Sequence, residues 1–403
     1  MKNRNGTKKK VMLITPMLHQ GGFERICVLT ARLLQESYDV VVVVFSMEDI
    51  AFDVSGIEVI DLNLKSRKGK IGKIINLFRR GIRLSILQKR LNTDISYSFG
   101  MTANIANSLS FGAKKKITAC HSFEEIKDKH YMRLISRCSD QVLCCAKKMA
   151  DMVQETYGFT NVTPLWNPCD IEQILAQSNL EPDQDIAFFE GQDRVLVSMG
   201  REDDVKGFWH LMKVFRRVNE KNRNTRLAIV GDGDFGDYQK MVRDLDLEGK
   251  VLFTGLKKNP FPYLKRSDIY VLTSLSEGLP NALVEALALS LPIVSANCLS
   301  GPAEILHKNF KEVESKPGVI RGDFGILTPV LSPKKNCSVS WEEGVENPEI
   351  KLEKAEEQMA EEILSLLEEK ELYESYRKNS FQRAKDFSIE KYLEGLVSCM
   401  EGL

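Results

Sequence analysis

The sequence predicts an α/β protein made of two doubly wound, parallel-sheet domains. Three observations predict it. At 403 residues the chain is too long for one ordinary core and comfortable for two. Short apolar runs alternate with longer amphipathic ones, the βαβα order that gives a parallel sheet with helices on both faces. That rhythm breaks at a stretch holding Pro164, Pro168 and Pro182 and then restarts. The expected domains are residues 1–170 and 194–370. Residues 171–193 form the hinge, and 371–403 are helices that pack back toward the first domain.

In the first half, Val11–Thr15, Val40–Phe45, Ile95–Ser98, Lys116–Ala119 and Gln141–Cys144 read as strands. The unbroken Val40-Val-Val-Val-Val-Phe45 lacks polar alternation, as a strand covered on both faces does. Phe23–Gln35, Ile71–Leu91, Glu125–Arg137 and Ala146–Tyr157 read as helices. Lys2 to Lys10 followed by Val11–Thr15 imitates a signal peptide, but the apolar run is short and stopped by Pro16. In the second half the strands are Val195–Met199, Leu227–Val230, Val251–Phe253, Ile269–Leu272 and Ile293–Ala296. Gly207–Asn219, Phe235–Leu245 and Asn281–Ser290 are its helices. Residues 311–353 read as a surface insertion around a strand-like Phe324–Thr328, and the tail from Glu353 is helical. No run approaches the roughly 20 apolar residues that cross a bilayer.

A hydrophobic share of 43% and a charged share of 28% exclude a disordered chain. Charge is unevenly placed. Residues 1–170 hold 26 Lys and Arg against 16 Asp and Glu, and the remainder 30 against 40. A basic half joined to an acidic half suggests that the first meets something anionic. The nine Cys form no C-x-x-C pair and sit mostly in apolar runs, which reads as free thiols in a reducing compartment. No metal-ligand spacing is present among the His and Cys.

Three stretches carry chemistry. In the turn after the first strand, Gly21 and Gly22 precede a helix, so backbone and helix N-terminus can approach a ligand oxygen. This is not G-x-G-x-x-G, and no acid closes the second strand, which weakens a dinucleotide reading. In Ser198-Met-Gly-Arg201-Glu-Asp-Asp-Val-Lys206-Gly207 an Arg fork and a Lys point charge share one strand–helix turn, an arrangement suited to a diphosphate. In Glu277-Gly-Leu-Pro-Asn-Ala-Leu-Val-Glu285 a helix start lies between two acids. Carboxylates accept from sugar hydroxyls and exposed amides suit phosphate oxygens. Glu285 stands inside an otherwise apolar helix, where an acid has a partner.

Taken together, in order and spacing, these pieces resemble the retaining GT-B glycosyltransferases of family 4 (glycosyl transferases group 1). The resemblance rests on Gly21-Gly22-x-Glu24, Gly200-Arg201 with Lys206-Gly207, Ile229-Val-Gly-Asp-Gly233, Phe253-Thr-Gly255 and Glu277-x7-Glu285. It spans roughly residues 11–310 and implies two Rossmann-like domains facing a cleft. It also implies roles. Arg201 and Lys206 bind the donor diphosphate and stabilise the departing nucleotide, and Glu277 contacts donor-sugar hydroxyls. Gly278, Leu279, Pro280, Asn281 and Ala282 reach sugar and phosphate, and Glu285 holds the ribose. Gly21 and Gly22 let the first loop approach the donor, Leu256 meets the base through its backbone, and His121 faces the donor sugar. The implied reaction is retaining and needs no metal and no cofactor. It moves a hexose or N-acetylhexosamine, UDP-linked, to a lipid-linked or polysaccharide acceptor in cell-surface glycan synthesis. The alternatives are a GT-B epimerase or phosphorylase, or an inactive nucleotide-sugar-binding partner protein.

Between Leu64 and Leu91 lie ten Lys and Arg and no acid. A basic amphipathic helix here suits an anionic bilayer, with Lys73, Arg79, Arg80 and Arg83 as the expected membrane contacts. The chain is therefore expected in the cytoplasm, peripheral on the membrane face. A nucleic-acid partner is not expected, because no aromatic-rich basic groove is evident.

Overall fold

The computed structural model describes residues 6–19, 21–48, 50–66, 68–182, 184–313, 316–341 and 350–402. The chain divides into two compact units. One holds the residues up to Pro168 together with those from Glu390, and the other holds Cys169–Ile389.

The first unit begins with β1 (Lys10–Thr15), α1 (Gly22–Leu34), β2 (Asp39–Val44), β3 (Glu58–Asp61) and α2 (Lys70–Arg90). It continues through β4 (Ile95–Phe99), α3 (Met101–Ser108), β5 (Lys115–Cys120), α4 (Phe123–Lys127), α5 (Lys129–Cys138), β6 (Gln141–Cys144), α6 (Lys147–Tyr157) and β7 (Val162–Pro164). Among the described residues these strands form one parallel sheet, ordered β3-β2-β1-β4-β5-β6-β7. Val40 to Val44 are buried on both faces, as the unbroken valine run requires.

Two departures from the sequence reading have physical causes. The expected helix Glu125–Arg137 is two helices, because Asp128 turns extended and its carboxylate accepts from the N–H groups of His130 and Tyr131. That local cap outweighs continuation. Helix α3 escaped the apolar pattern because its inward face is polar. Asn104 accepts from Ser98 at 2.7 Å and Asn107 from Ser96 at 2.8 Å, all buried.

The second unit contains α7 (Ile171–Ser178), β8 (Arg194–Met199), α8 (Phe208–Lys221), β9 (Thr225–Val230), α9 (Gly236–Asp244), β10 (Val251–Phe253), α10 (Phe261–Lys265) and β11 (Ile269–Leu272). Then follow α11 (Asn281–Ala288), β12 (Ile293–Ala296), α12 (Gly301–Leu306), β13 (Ile320–Arg321), β14 (Ile326–Thr328), α13 (Lys354–Glu368) and α14 (Lys370–Ala384). The sheet order is β10-β9-β8-β11-β12-β14-β13, parallel except for β13. Helix α8 is buried from Phe208 to Asn219, since α13 covers the side that a two-layer fold would leave wet. Two of its polar side chains find partners there. Arg217 pairs with Glu357 at 2.9 Å, and His210 meets Glu356 at 2.6 Å.

The stretch expected as a hinge is structured. Helix α7 packs against α10 and α11 within the second unit. Nor do residues 371–403 move as a block. Helix α14 stays with the second unit, where Arg383 donates to the carbonyls of Glu304 and Ile305. Only α15 (Ile389–Glu401) joins the first. Tyr392, Leu396 and Met400 complete that unit's core, and the Tyr392 and Thr30 hydroxyls are 2.7 Å apart.

Arg80 corrects the expected membrane contacts. It is 8% exposed, donates to the Leu64 carbonyl at 2.7 Å and lies over the Phe45 ring. Among the described residues no helix is long and apolar enough to cross a membrane.

Since Leu396 is fully buried in the first unit's core, Leu396→Ala is expected to destabilise that unit by about 2–5 kcal/mol. Denaturant unfolding followed by amide exchange, which resolves the two units, checks this.

Candidate active site

The second sheet reverses direction between β8 and β11: β9 and β10 lie on one side of β8, and β11 and β12 on the other. Loops diverging from such a switch point leave a crevice at the carboxyl ends of the strands. The loop after β8 carries Arg201 and Lys206, and the loop after β11 carries Glu277. Lys206 Nζ and Glu277 Oε1 are 2.7 Å apart, so the ion pair bridges the switch point.

Backbone contacts hold that pair in place. The Leu275 N–H donates to the Val205 carbonyl at 2.8 Å, and the Thr273 hydroxyl donates to the Lys206 carbonyl at 2.9 Å. Gly207, at φ +61, comes so close that a Cβ would stand 2.4 Å from the Thr273 oxygen. The neighbouring Gly-Asp-Gly turn is explained similarly. A Cβ on Gly231 would strike the Gly200 carbonyl at 2.0 Å, and one on Gly233 would meet Glu202. Glu202 in turn accepts from the Phe235 N–H at 2.7 Å.

From the other side, the loop after β12 clamps the Glu277 loop. The Ser300 hydroxyl donates to the carbonyls of Gly278 at 2.6 Å and Glu277 at 3.2 Å. Ser300 itself sits at φ +84, a costly conformation for a non-glycine residue. A Cβ on Gly301 would lie 2.3 Å from Pro280 Cδ. Pro280 then starts α11, whose first turn no side chain caps. Asn281 and Ala282 form the first turn of that helix at the crevice.

The remaining expected residues of this unit fall around the same edge. Glu285, 2% exposed, lies one turn into α11. Tyr270 lies beneath, its phenol pushed up by burial and further by the charges of Glu277 and Glu285. Leu256 is exposed after β10, whereas the Lys257 side chain is buried over the Tyr263 ring. Arg201 does not join the ion pair. It is 74% exposed and turns to Asp203 at 3.2 Å. Sequence reasoning missed Cys298 as a neighbour of the pair. Burial raises its thiol, with Glu277 adding to the effect and Lys206 opposing it. A cavity of about 560 Å³ lined by Arg194, Asp268, Leu291 and Tyr373 lies at the amino ends of these strands, away from Lys206 and Glu277.

In the first unit the switch point is between β1 and β4. Gly21 and Gly22 lie between β1 and α1. A Cβ on Gly21 would collide with the Glu24 carboxylate at 2.1 Å. Phe23 follows, packed on Gly100, which leaves β4 at φ +82. His121, at the end of β5, is stacked between the rings of Phe23 and Phe99. Its N–H and that of Ser122 donate to Glu125, which closes a capping box on α4. Burial pushes the His121 imidazole down to about 4, with Asn167 pulling the other way. Burial also pushes Glu125 up to about 7, against the backbone N–H groups that favour its charge. Phe23, Gly100 and Glu125 had no sequence signal apart from the Ser122-x-x-Glu125 cap spacing.

Residues 181–319, which span Arg201 to Glu285, match the sequence pattern of the glycosyl transferases group 1. That match covers the part of the second unit that holds the ion pair. The chain is 34% identical to an uncharacterized glycosyltransferase of Methanocaldococcus jannaschii over 60% of its own length and 58% of the relative's. It is 24% identical to a Campylobacter jejuni N-acetylgalactosamine-N,N'-diacetylbacillosaminyl-diphospho-undecaprenol 4-alpha-N-acetylgalactosaminyltransferase, over 98% of this chain and all of that one. The Anabaena HepE structure with UDP-glucose superposes with a TM-score of 0.72 at 16% identity, covering 98% of this chain and 100% of the other. The fold is GT-B, two Rossmann-like domains.

A His whose folded pKa is depressed resists protonation in the folded state. Its contribution to stability is therefore present above the ordinary His value and is lost as pH falls through that value toward the depressed one. The His121 ring signal in NMR is expected to stay constant down to about pH 5 and to move only toward a midpoint near 4. A midpoint at the ordinary imidazole value would mean an exposed ring.

Proposed function

We propose that the chain is a retaining, metal-independent glycosyltransferase. In this reading it moves a hexose or N-acetylhexosamine from a UDP-sugar to a lipid-linked or polysaccharide acceptor in cell-surface glycan synthesis. The observation that carries the reading is the Lys206–Glu277 pair at 2.7 Å beside the N-terminus of α11. It sets a cation, a carboxylate and the first turn of a helix at one edge, which are groups suited to a sugar diphosphate.

The roles follow from chemistry. Lys206 has three N–H donors. It can keep one on Glu277 and offer others to the diphosphate. Glu277 accepts from sugar hydroxyls, and the amides of Leu279 to Ala282 take phosphate oxygens. Arg201, exposed and paired with Asp203, can turn its fork onto the same diphosphate. The charge that grows on the departing nucleotide is then met by fixed cations and amides, with no metal required. Glu285 holds the ribose end. Gly21, Gly22 and neutral His121 serve the donor from the first domain, and Leu256 serves the base. Support for the donor comes from the UDP-glucose bound by the Anabaena neighbour. Support for a lipid-linked acceptor comes from the diphospho-undecaprenol in the Campylobacter relative's name.

Nucleotide release from UDP-, GDP- and ADP-sugars, with and without a lipid extract, tests the reading. Turnover is expected with a UDP-sugar and is raised by the extract; no binding and no turnover with any donor would refute it. Lys206→Ala and Glu277→Ala are each expected to lower turnover at least about a hundredfold while thermal unfolding is retained. Arg201→Ala should lower turnover with an unaltered fold, since its side chain is exposed.

A further inference from the structure

Helix α2 keeps exposed the apolar side that its sequence offers to a bilayer. The face that packs on the first unit is polar. Asn76 donates to the Lys65 carbonyl at 2.8 Å, Arg80 to that of Leu64, and Gln88 lies against Asn107, with Leu84 between them. The large apolar side chains face the opposite way. Ile71 is 76% exposed, Phe78 56% and Ile82 60%, and Ile74, Ile75 and Ile86 are also exposed. At 3.6 residues per turn these positions fall on one stripe along the helix. Phe111, 72% exposed, extends it: its N–H donates to Ser85 at 2.9 Å, and Lys116 lies over its ring.

A continuous apolar stripe of this length in water marks a surface that something covers. The charges decide what. Arg79, Arg83, Lys89 and Arg90 are exposed beside or at the ends of the stripe, and no acid lies between Leu64 and Leu91. A second copy would set these cations against their own kind. A bilayer of anionic lipid fits both halves of the pattern, with acyl chains for the isoleucines and phenylalanines and headgroups for the cations.

We propose that α2, with Phe111, is a membrane-docking face. It lies in the plane of an anionic bilayer with the Ile71–Ile86 stripe inserted. The stripe makes the insertion, and Arg79 and Arg83 supply the electrostatic half. Arg80 takes no part, being held under the helix. This surface stands independently of the transfer reading, because vesicle binding requires no donor and no turnover.

Co-sedimentation of the full chain with mixed phosphatidylcholine–phosphatidylglycerol vesicles, and with phosphatidylcholine alone, tests it. The chain is expected to pellet with the mixed vesicles and not with phosphatidylcholine, and added salt should weaken binding. Phe78→Glu combined with Ile82→Glu should lower partitioning at least about tenfold, and Arg79→Glu with Arg83→Glu should lower it as well. Thermal unfolding should be unchanged in both, because the altered side chains are exposed. In a Phe78→Trp variant, mixed vesicles should shift the indole emission to the blue. Three results would overturn the proposal: a wild-type chain that stays in the supernatant with mixed vesicles, apolar-to-Glu variants that bind as well as wild type, or a wild-type dimer that those variants split.

Discussion

The second domain's chemistry depends on one constraint: Lys206 and Glu277 must face each other across the switch point before any ligand arrives. Three loops are shaped to enforce it. The loop after β8 is hydrogen-bonded to the loop after β11 through Leu275 and Thr273. The loop after β12 presses on the same segment through Ser300 and Gly301. An unpaired Lys beside a crevice would sample many rotamers. Paired, it loses that freedom during folding rather than during binding, which is what preorganisation means energetically. In the proposed reading, a diphosphate meets a cation already aimed there.

The first domain uses different materials at the carboxyl end of its own sheet. Around His121 there are rings and glycines instead of an ion pair. Phe23 and Phe99 stack on the imidazole, and burial keeps it uncharged at neutral pH. Glu125 below spends its oxygens on backbone N–H groups. An uncharged imidazole can donate or accept a hydrogen bond without adding a cation to this edge of the first sheet.

Much of this was legible in the sequence, for definite reasons. The valines of β2 announce a doubly covered strand because nothing polar interrupts them. The Gly200–Gly207 and Glu277–Glu285 segments stand out because their charges sit where strands turn into helices. What stayed hidden is contact between distant positions. Lys206 and Glu277 are 71 residues apart, and no local pattern pairs them. Gly301 reads as an ordinary glycine until Pro280 occupies the place of its missing Cβ. Which face of helix α2 is buried was hidden for a different reason. Its pattern contains both a basic and an apolar face, and hydrophobicity alone would bury the second. The fold instead buries Asn76, Arg80 and Gln88, which it can do because carbonyls and Asn107 stand ready to receive their hydrogens.

The membership of α15 in the first unit has a consequence for how the chain is made. Translation delivers that unit's seven described strands first, then the whole of the second unit, and only afterwards the segment that brings Tyr392, Leu396 and Met400 into the first core. While the ribosome works through residues 169–389, the nascent first domain carries an open groove beside Thr30 and Tyr38. Chains usually finish folding in the order in which they emerge. Here the domain made first is the one that closes last.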